Sequence, residues 1–233
     1  MLQAMAHSRT FPAHTMLWDR GQCGEGIYVL LQGTVKVAVR RHRTEVILDI
    51  LGAGQVLGEI STVDEAGHSA SVMTLETCRL IWMEAADFAA CRYTIPSLNH
   101  NLVAILTQRL SRISARLEAL ATLDSYGRVA YQLLAFAQEY GQAAPSADIL
   151  LPLHLTQSDL ASLIGISRER VKRVLSLYKR QGCISVGADN HLTIHDCHAL
   201  SQRCGVSPLL CNGAAVKSLA TTNCSSDADS SSF

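Results

Sequence analysis

No apolar run in the 233 residues reaches the ~18–20 that would cross a bilayer, and the longest candidates are broken by charges. Residues Met1 to Phe11 lack an apolar core, so no secretory signal is read and no membrane partner is expected. An excess of charge of either sign is missing as well: Lys+Arg 20 and Asp+Glu 20 give a formal net charge of +0. That balance excludes a generally basic packaging protein, and taken alone it argues against nucleic acid. The 8 cysteines include no C-x-x-C pair and no compact framework, which points to free thiols in a reducing cytoplasm. Catalytic signatures are absent too. There is no G-x-S-x-G, no H-E-x-x-H and no phosphate-cradling P-loop. A metal-dependent catalytic roll would need two or three histidines and a carboxylate from neighbouring strands, and no H-x-H pair occurs before residue 97.

What the sequence does contain is enough apolar material for a core. Hydrophobic residues make up 48%, charged residues 17%, and mean hydropathy is +0.16. At roughly 150 residues per domain the length fits one or two domains. From Thr15 to Met83 short apolar runs alternate with glycines, as in Ile27–Leu31 before Gly33 and Val46–Leu51 before Gly52 and Gly54. Val35–Val39 alternates with period two and ends in the basic run 40–43, read as a solvated hairpin tip; Ala70–Met83 reads as two more strands. Many short strands with frequent turn signals predict a β-roll or barrel.

After Pro96 the period changes. Leu106, Leu110, Ile113, Leu117 and Leu120 are spaced 4, 3, 4, 3, a heptad seam on an otherwise polar helix. So narrow a stripe predicts pairing with a second helix, while Leu102, Val103 and Ile105 are assigned to packing on the roll. Another helix is expected over Leu123–Tyr140, ending at Gly141.

The segment Gln157–Leu175 is the most informative. Thr156 can cap a first helix, Asp159 lies in its first turn, and Ala161 is small enough for a close crossing. Gly165 stands where a tight turn needs left-handed backbone, and Ser167 can cap a second helix. Leu160, Ile164, Ile166, Val171 and Val174 would share the interior. This is a helix-turn-helix pattern. Its second helix carries Arg168, Arg170, Lys172, Arg173, Lys179 and Arg180 against the single acid Glu169, so double-stranded DNA is the expected partner despite the neutral sum. Arginine can bond guanine O6/N7 bidentately and glutamate can accept from cytosine N4. Gly182–Gly187 and His191–His195 read as a hairpin, hence a wing.

In this order the elements resemble the Crp/Fnr family of bacterial transcription regulators over about residues 11–200. The resemblance rests on Gly21–Val37, Ile47–Ile60, the hinge-like Asp124–Arg128, and Leu155–Arg173. It implies an α+β fold: an N-terminal double-stranded, jelly-roll-like β-roll sensor (1–97), a dimerisation helix (98–123), and a winged helix-turn-helix (124–200). Residues 201–233, with eight serines, are assigned to a flexible tail. It further implies a homodimer that reads a two-fold symmetric operator and contacts RNA polymerase. Arg168, Glu169 and Arg173 would read bases, with Ser167, Arg170 and Lys172 beside them on the DNA face.

For the sensor, the family's cyclic-AMP site pairs Gly-Glu with Arg-Ser. Here Gly58 and Glu59 match, but His68 and Ser69 replace Arg-Ser, and the adenine-facing Thr-Ser pair of the dimer helix aligns with Ile113 and Ser114. Histidine, mostly neutral near pH 7, is a poor substitute for a guanidinium fork on phosphate. The expectation is therefore regulation through the β-roll, not by cyclic AMP, with no required cofactor and an unknown small molecule as the candidate effector; the resemblance adds an activator of a nutrient (nitrogen or sulfur) response. Haem sensing through His14, His42 or His68, and redox or metal sensing through Cys197, Cys204 and Cys211, are the alternatives within the family. A cyclic-nucleotide-binding module without DNA function is the alternative outside it, and the helix-turn-helix argues against that.

Overall fold

Leu30, Val35, Leu51, Val72 and Leu80 are each followed or preceded by residues of the opposite face, and this alternation lets two sheets share one interior. The computed structural model describes residues 6–42, 44–64, 67–144, 148–187 and 191–205. The roll comprises β1 (His7–Phe11), β2 (Met16–Trp18), β3 (Gly26–Gln32), β4 (Val35–Arg41), β5 (Thr44–Leu51), β6 (Val56–Leu57), the short helix α1 (Glu59–Asp64), β7 (Ser71–Thr74) and β8 (Cys78–Glu84). One sheet has the order β1-β8-β3-β6 and the other β2-β7-β4-β5, all neighbours antiparallel. Trp18, Leu30, Leu57 and Leu80 fill the space between them.

Helix α2 (Ala85–Thr94) follows, then α3 (Pro96–Thr122), the long helix. Proline at the start of α3 costs no hydrogen bond, because the first N–H groups of a helix have no intrahelical partner. The C-terminal unit holds α4 (Ser125–Tyr140), β9 (Gln142–Ala143), β10 (Ile149–Leu151), α5 (Gln157–Ile164), α6 (Arg168–Arg180), β11 (Ile184–Val186), β12 (Leu192–Ile194) and α7 (Cys197–Cys204). Its sheet runs β11-β12-β10-β9, so the expected wing is present as an antiparallel β11–β12 pair.

The short helix α1 and the strands β9 and β10 were not read from the sequence, and three further features depart from that reading. Strand β1 precedes Thr15; its residues His7–Thr10 are all exposed on an edge, so no apolar alternation announced it. Helix α2 lies ahead of Pro96, in an alanine-rich stretch with only Phe88 and Cys91 buried. Residues 201–204, assigned to the tail, belong to α7: Asp196 caps its start, Gly205 closes it in the left-handed region, and Ser201 and Cys204 are buried. The rest of the tail, with Cys211 and Cys224, lies outside the described residues, as does Arg43 of the basic hairpin tip.

The roll and the C-terminal unit share one core. Ala38, Ile47, Ile50 and Leu75 of the roll cluster with Leu133, Leu153, Leu160 and Val174. Polar contacts seal the joint. Glu139 of α4 accepts from Gln55 at 2.8 Å and pairs with Arg112 of α3. The His154 amide donates to Thr34 Oγ1 at 3.2 Å. Among the described residues no helix is long and apolar enough to cross a membrane.

Candidate nucleic-acid interface and effector pocket

The α5–turn–α6 unit forms as its sequence dictates. Thr156 Oγ1 accepts from the Asp159 amide at 3.1 Å, and the Asp159 carboxylate accepts from the Thr156 amide at 3.2 Å, a reciprocal capping box. Such a cap contributes about 0.5–2 kcal/mol. Gly165 adopts φ 67°, which a β-carbon would strain, and Ser167 Oγ accepts from the Arg170 amide at 3.2 Å to start α6. Leu160, Ala161, Ile164, Val171 and Val174 are buried and Ile166 packs against them, so the expected shared interior is the observed one.

Around α6, at ~100° per residue, Val171, Val174, Leu175 and Tyr178 occupy one buried arc. Glu169, Lys172, Arg173, Lys179 and Arg180 are exposed on the rest of the helix surface, with Glu169, Arg173 and Arg180 farthest from the buried arc. Arg168 and Arg170 are also exposed and flank the buried arc on its two sides. Backbone and Ser167 hydroxyl hydrogen bonds hold the Glu169 carboxyl below its usual range, leaving it an acceptor among cations. An outward helix of this charge, one tight turn after a second helix, suits a DNA major groove.

The sensor residues converge only in part. Gly58, Glu59, His68 and Ser69 line one cavity of about 60 Å³ inside the roll, together with Trp18. Gly58 has φ 81°, and a β-carbon there would lie 2.5 Å from the Gly26 carbonyl oxygen, so this glycine serves the fold. Ser114 does not line the cavity and is exposed on α3. In its place the structure brings Arg109, which the sequence reading missed. Its guanidinium pairs with the buried Glu59 carboxylate and donates to the Val56 carbonyl at 2.9 Å. The available signal was an arginine one turn ahead of Ile113, on the helix face turned to the roll. Burial pushes the Glu59 carboxyl up, and Arg109 offsets this only in part. His68 is buried, stacked on Trp18 at 4.3 Å and 14°, with Nδ1 3.1 Å from Ser61 Oγ. Desolvation pushes its pKa down, so it is neutral at pH 7.

On α3 the heptad seam divides. Leu110, Ile113 and Leu117 are exposed, whereas Leu106 packs beneath the helix and Leu120 is half-buried against the C-terminal unit. Val103, expected to pack on the roll, instead joins the exposed stripe at 62% exposure, because it lies seven residues before Leu110. The candidate haem ligands are dispersed: His14 and His42 sit in exposed turns with φ 57° and 55°. Among the described residues no three His, Cys, Asp or Glu side chains cluster as a metal site. Cys78 is buried with its thiol pushed up to about 11 by desolvation, an unreactive state.

Comparison with known proteins agrees with this geometry. Residues 8–92 match the cyclic nucleotide-binding domain model and residues 127–203 the Crp-like helix-turn-helix domain model. The chain is 30% identical over 194 residues to a CRP-like cAMP-activated global transcriptional regulator of Mycobacterium tuberculosis, covering 83% of this chain and 86% of that one. It is 32% identical over 182 residues to the cyclic AMP receptor protein of Thermus thermophilus, covering 77% and 80%. FixK2 from Bradyrhizobium japonicum superposes with a TM-score of 0.76 at 16% identity, covering 87% of this chain and 98% of that one, a likeness of fold. The Mycobacterium tuberculosis relative is by name a transcriptional regulator and not an enzyme. The β-roll, the long helix and the winged helix-turn-helix, together with these matches, make the chain a DNA-binding transcription regulator of the Crp/Fnr family.

Proposed function

We propose that the protein is a homodimeric, cytoplasmic activator that reads a palindromic operator through α6 and contacts RNA polymerase when bound. The exposed basic arc of α6 carries this reading. Arg168, Glu169 and Arg173 lie toward base edges, and Arg170, Lys172 and Ser167 toward phosphates. The stripe Val103, Leu110, Ile113 and Leu117 supplies the dimer contact, and two recognition helices one helical turn apart suit a two-fold site.

The sensor answers to a nutrient signal, of nitrogen or sulfur supply, and not to cyclic AMP. Sites for drug-sized ligands run to ~300–1,000 Å³, whereas the cavity around Glu59 is about 60 Å³. Arg109 is already engaged by Glu59, and neutral His68 stands where phosphate needs a fixed cation.

Selection of bound fragments from random DNA with the purified full chain, with and without cyclic AMP, tests both parts. A symmetric consensus unaffected by the nucleotide is expected. Selection of no sequence would overturn operator reading, and tighter binding with cyclic AMP would overturn the sensor assignment.

A further inference from the structure

A second cavity lies on the other side of the same sheet. Strand alternation sends Leu30 and Leu57 into the roll, and it turns Ile27, Val29 and Val56 outward beneath α2 and α3. Between these outward residues and Phe88 and Ile105 is a pocket of about 200 Å³. Its lining contains no charged side chain, and Asn101 at its edge is the one polar residue.

We infer that this seam between roll and long helix binds a small uncharged, largely apolar molecule with one hydrogen-bonding group opposite Asn101. The pocket opens to solvent and its accessible lining is almost wholly apolar, so an apolar occupant would remove that surface from water. A cavity of ~150 Å³ lined by such side chains holds benzene, so this one suits about six to ten heavy atoms. Nucleotides, phosphates and carboxylates do not fit, because nothing in the lining would offset their desolvation.

Position links the pocket to the rest of the molecule. Val56 lines it, and the Val56 carbonyl accepts from Arg109, which also holds Glu59 of the inner cavity. Ile105 stands one turn before Arg109 on α3. An occupant therefore presses on the seating of the long helix while leaving the inner cavity untouched. That regulatory consequence rests on the DNA-binding reading; binding itself does not.

The test is methyl NMR of the full chain titrated with indole, and with benzoate as a charged control. Saturable shifts are expected at Ile27, Val29, Ile81, Leu102 and Ile105, with none from benzoate. Val29→Phe, which fills the pocket, is expected to weaken indole at least tenfold; Ile105→Trp, from the helix side of the pocket, serves the same purpose if that variant does not fold. The proposal is overturned by the absence of saturable shifts, by equal response to benzoate, or by shifts at Val37, Leu57 and Val72 of the inner cavity. Indole binding that appears only after deletion of residues 1–5 would also overturn it, by assigning the pocket to the start of the chain itself. A change of threefold or more in operator affinity at saturating indole is expected. Unchanged affinity with intact indole binding would remove the regulatory role alone.

Discussion

Arg173 is exposed on α6, and among the described residues no ion pair competes for its guanidinium. Arg173→Ala should relax operator selectivity by about 1–3 kcal/mol while leaving the fold and the dimer intact. Binding competition between the best site and its single-base variants reads this, and an unchanged ranking would remove Arg173 from base reading. His68 makes a different prediction. Its folded pKa lies below the ordinary value near 6.5, chiefly through desolvation, so the folded state binds its proton less readily than the unfolded chain. The stability it lends is complete above that ordinary value and is lost as pH falls through the window beneath it. Between pH 7.5 and pH 5.5 the wild type should therefore lose more melting temperature than His68→Gln, which keeps a polar group by Ser61 and cannot titrate; equal losses would exclude His68 as the source. The helix-turn-helix and the exposed basic face of α6 were legible because caps and a turn glycine fix a helix's phase within a few residues. Arg109 was not, since its partner Glu59 lies 50 residues away and no local period connects them.

Helix α3 shows how one element serves three neighbours. Its inner residues Leu98, Leu102 and Leu106 pack with Phe88 and Met83, its outer stripe stays bare, and its arginines reach sideways to both units. Replacing Leu110 and Leu117 by Glu puts charge on the bare stripe only, so sedimentation should find folded monomers; persistent dimers would place the seam elsewhere. The heptad spacing revealed the helix and its apolar side, yet it could not separate Leu106 and Leu120, which meet the chain's own units, from Leu110 and Leu117, which do not. Spacing reports a face, and the packing partner decides its use. Sideways, Arg112 and Gln55 both converge on Glu139, while Arg116 pairs with Asp49 at 2.8 Å. Hydrogen bonds to charged groups contribute about 1.5–3 kcal/mol each, so Glu139→Ala should loosen the joint between roll and C-terminal unit by that order. Hydrogen exchange should quicken in β5 and α4 and stay unchanged in β3 and β8. Uniform acceleration would mean global destabilisation, and none would mean that the apolar cluster alone holds the joint.

For the molecule as a whole, the formal net charge of +0 conceals a strong internal asymmetry. Several cations are spent on ion pairs within the chain: Lys36 on Glu45, Arg109 on Glu59, Arg112 on Glu139 and Arg116 on Asp49, with Arg203 on Asp124 at the surface. Those of α6 form no ion pair among the described residues and remain available to phosphate. A count of charges along the chain cannot distinguish the two sets, because pairing is decided by which elements meet in space. Association with DNA follows the local field and not the sum. If Arg170, Lys172, Lys179 and Arg180 each neutralise one phosphate in both half-sites, eight counterions leave, and log K should fall against log[salt] with a slope of about −7. Affinity would then drop by roughly 10⁴ between 50 and 200 mM salt. Lys172→Gln should lower that slope by about 2 for the dimer without altering the preferred sequence, whereas Arg173→Ala should alter the preference and leave the slope nearly as it was. A wild-type slope shallower than about −2 would mean that α6 does not lie against the phosphates at all.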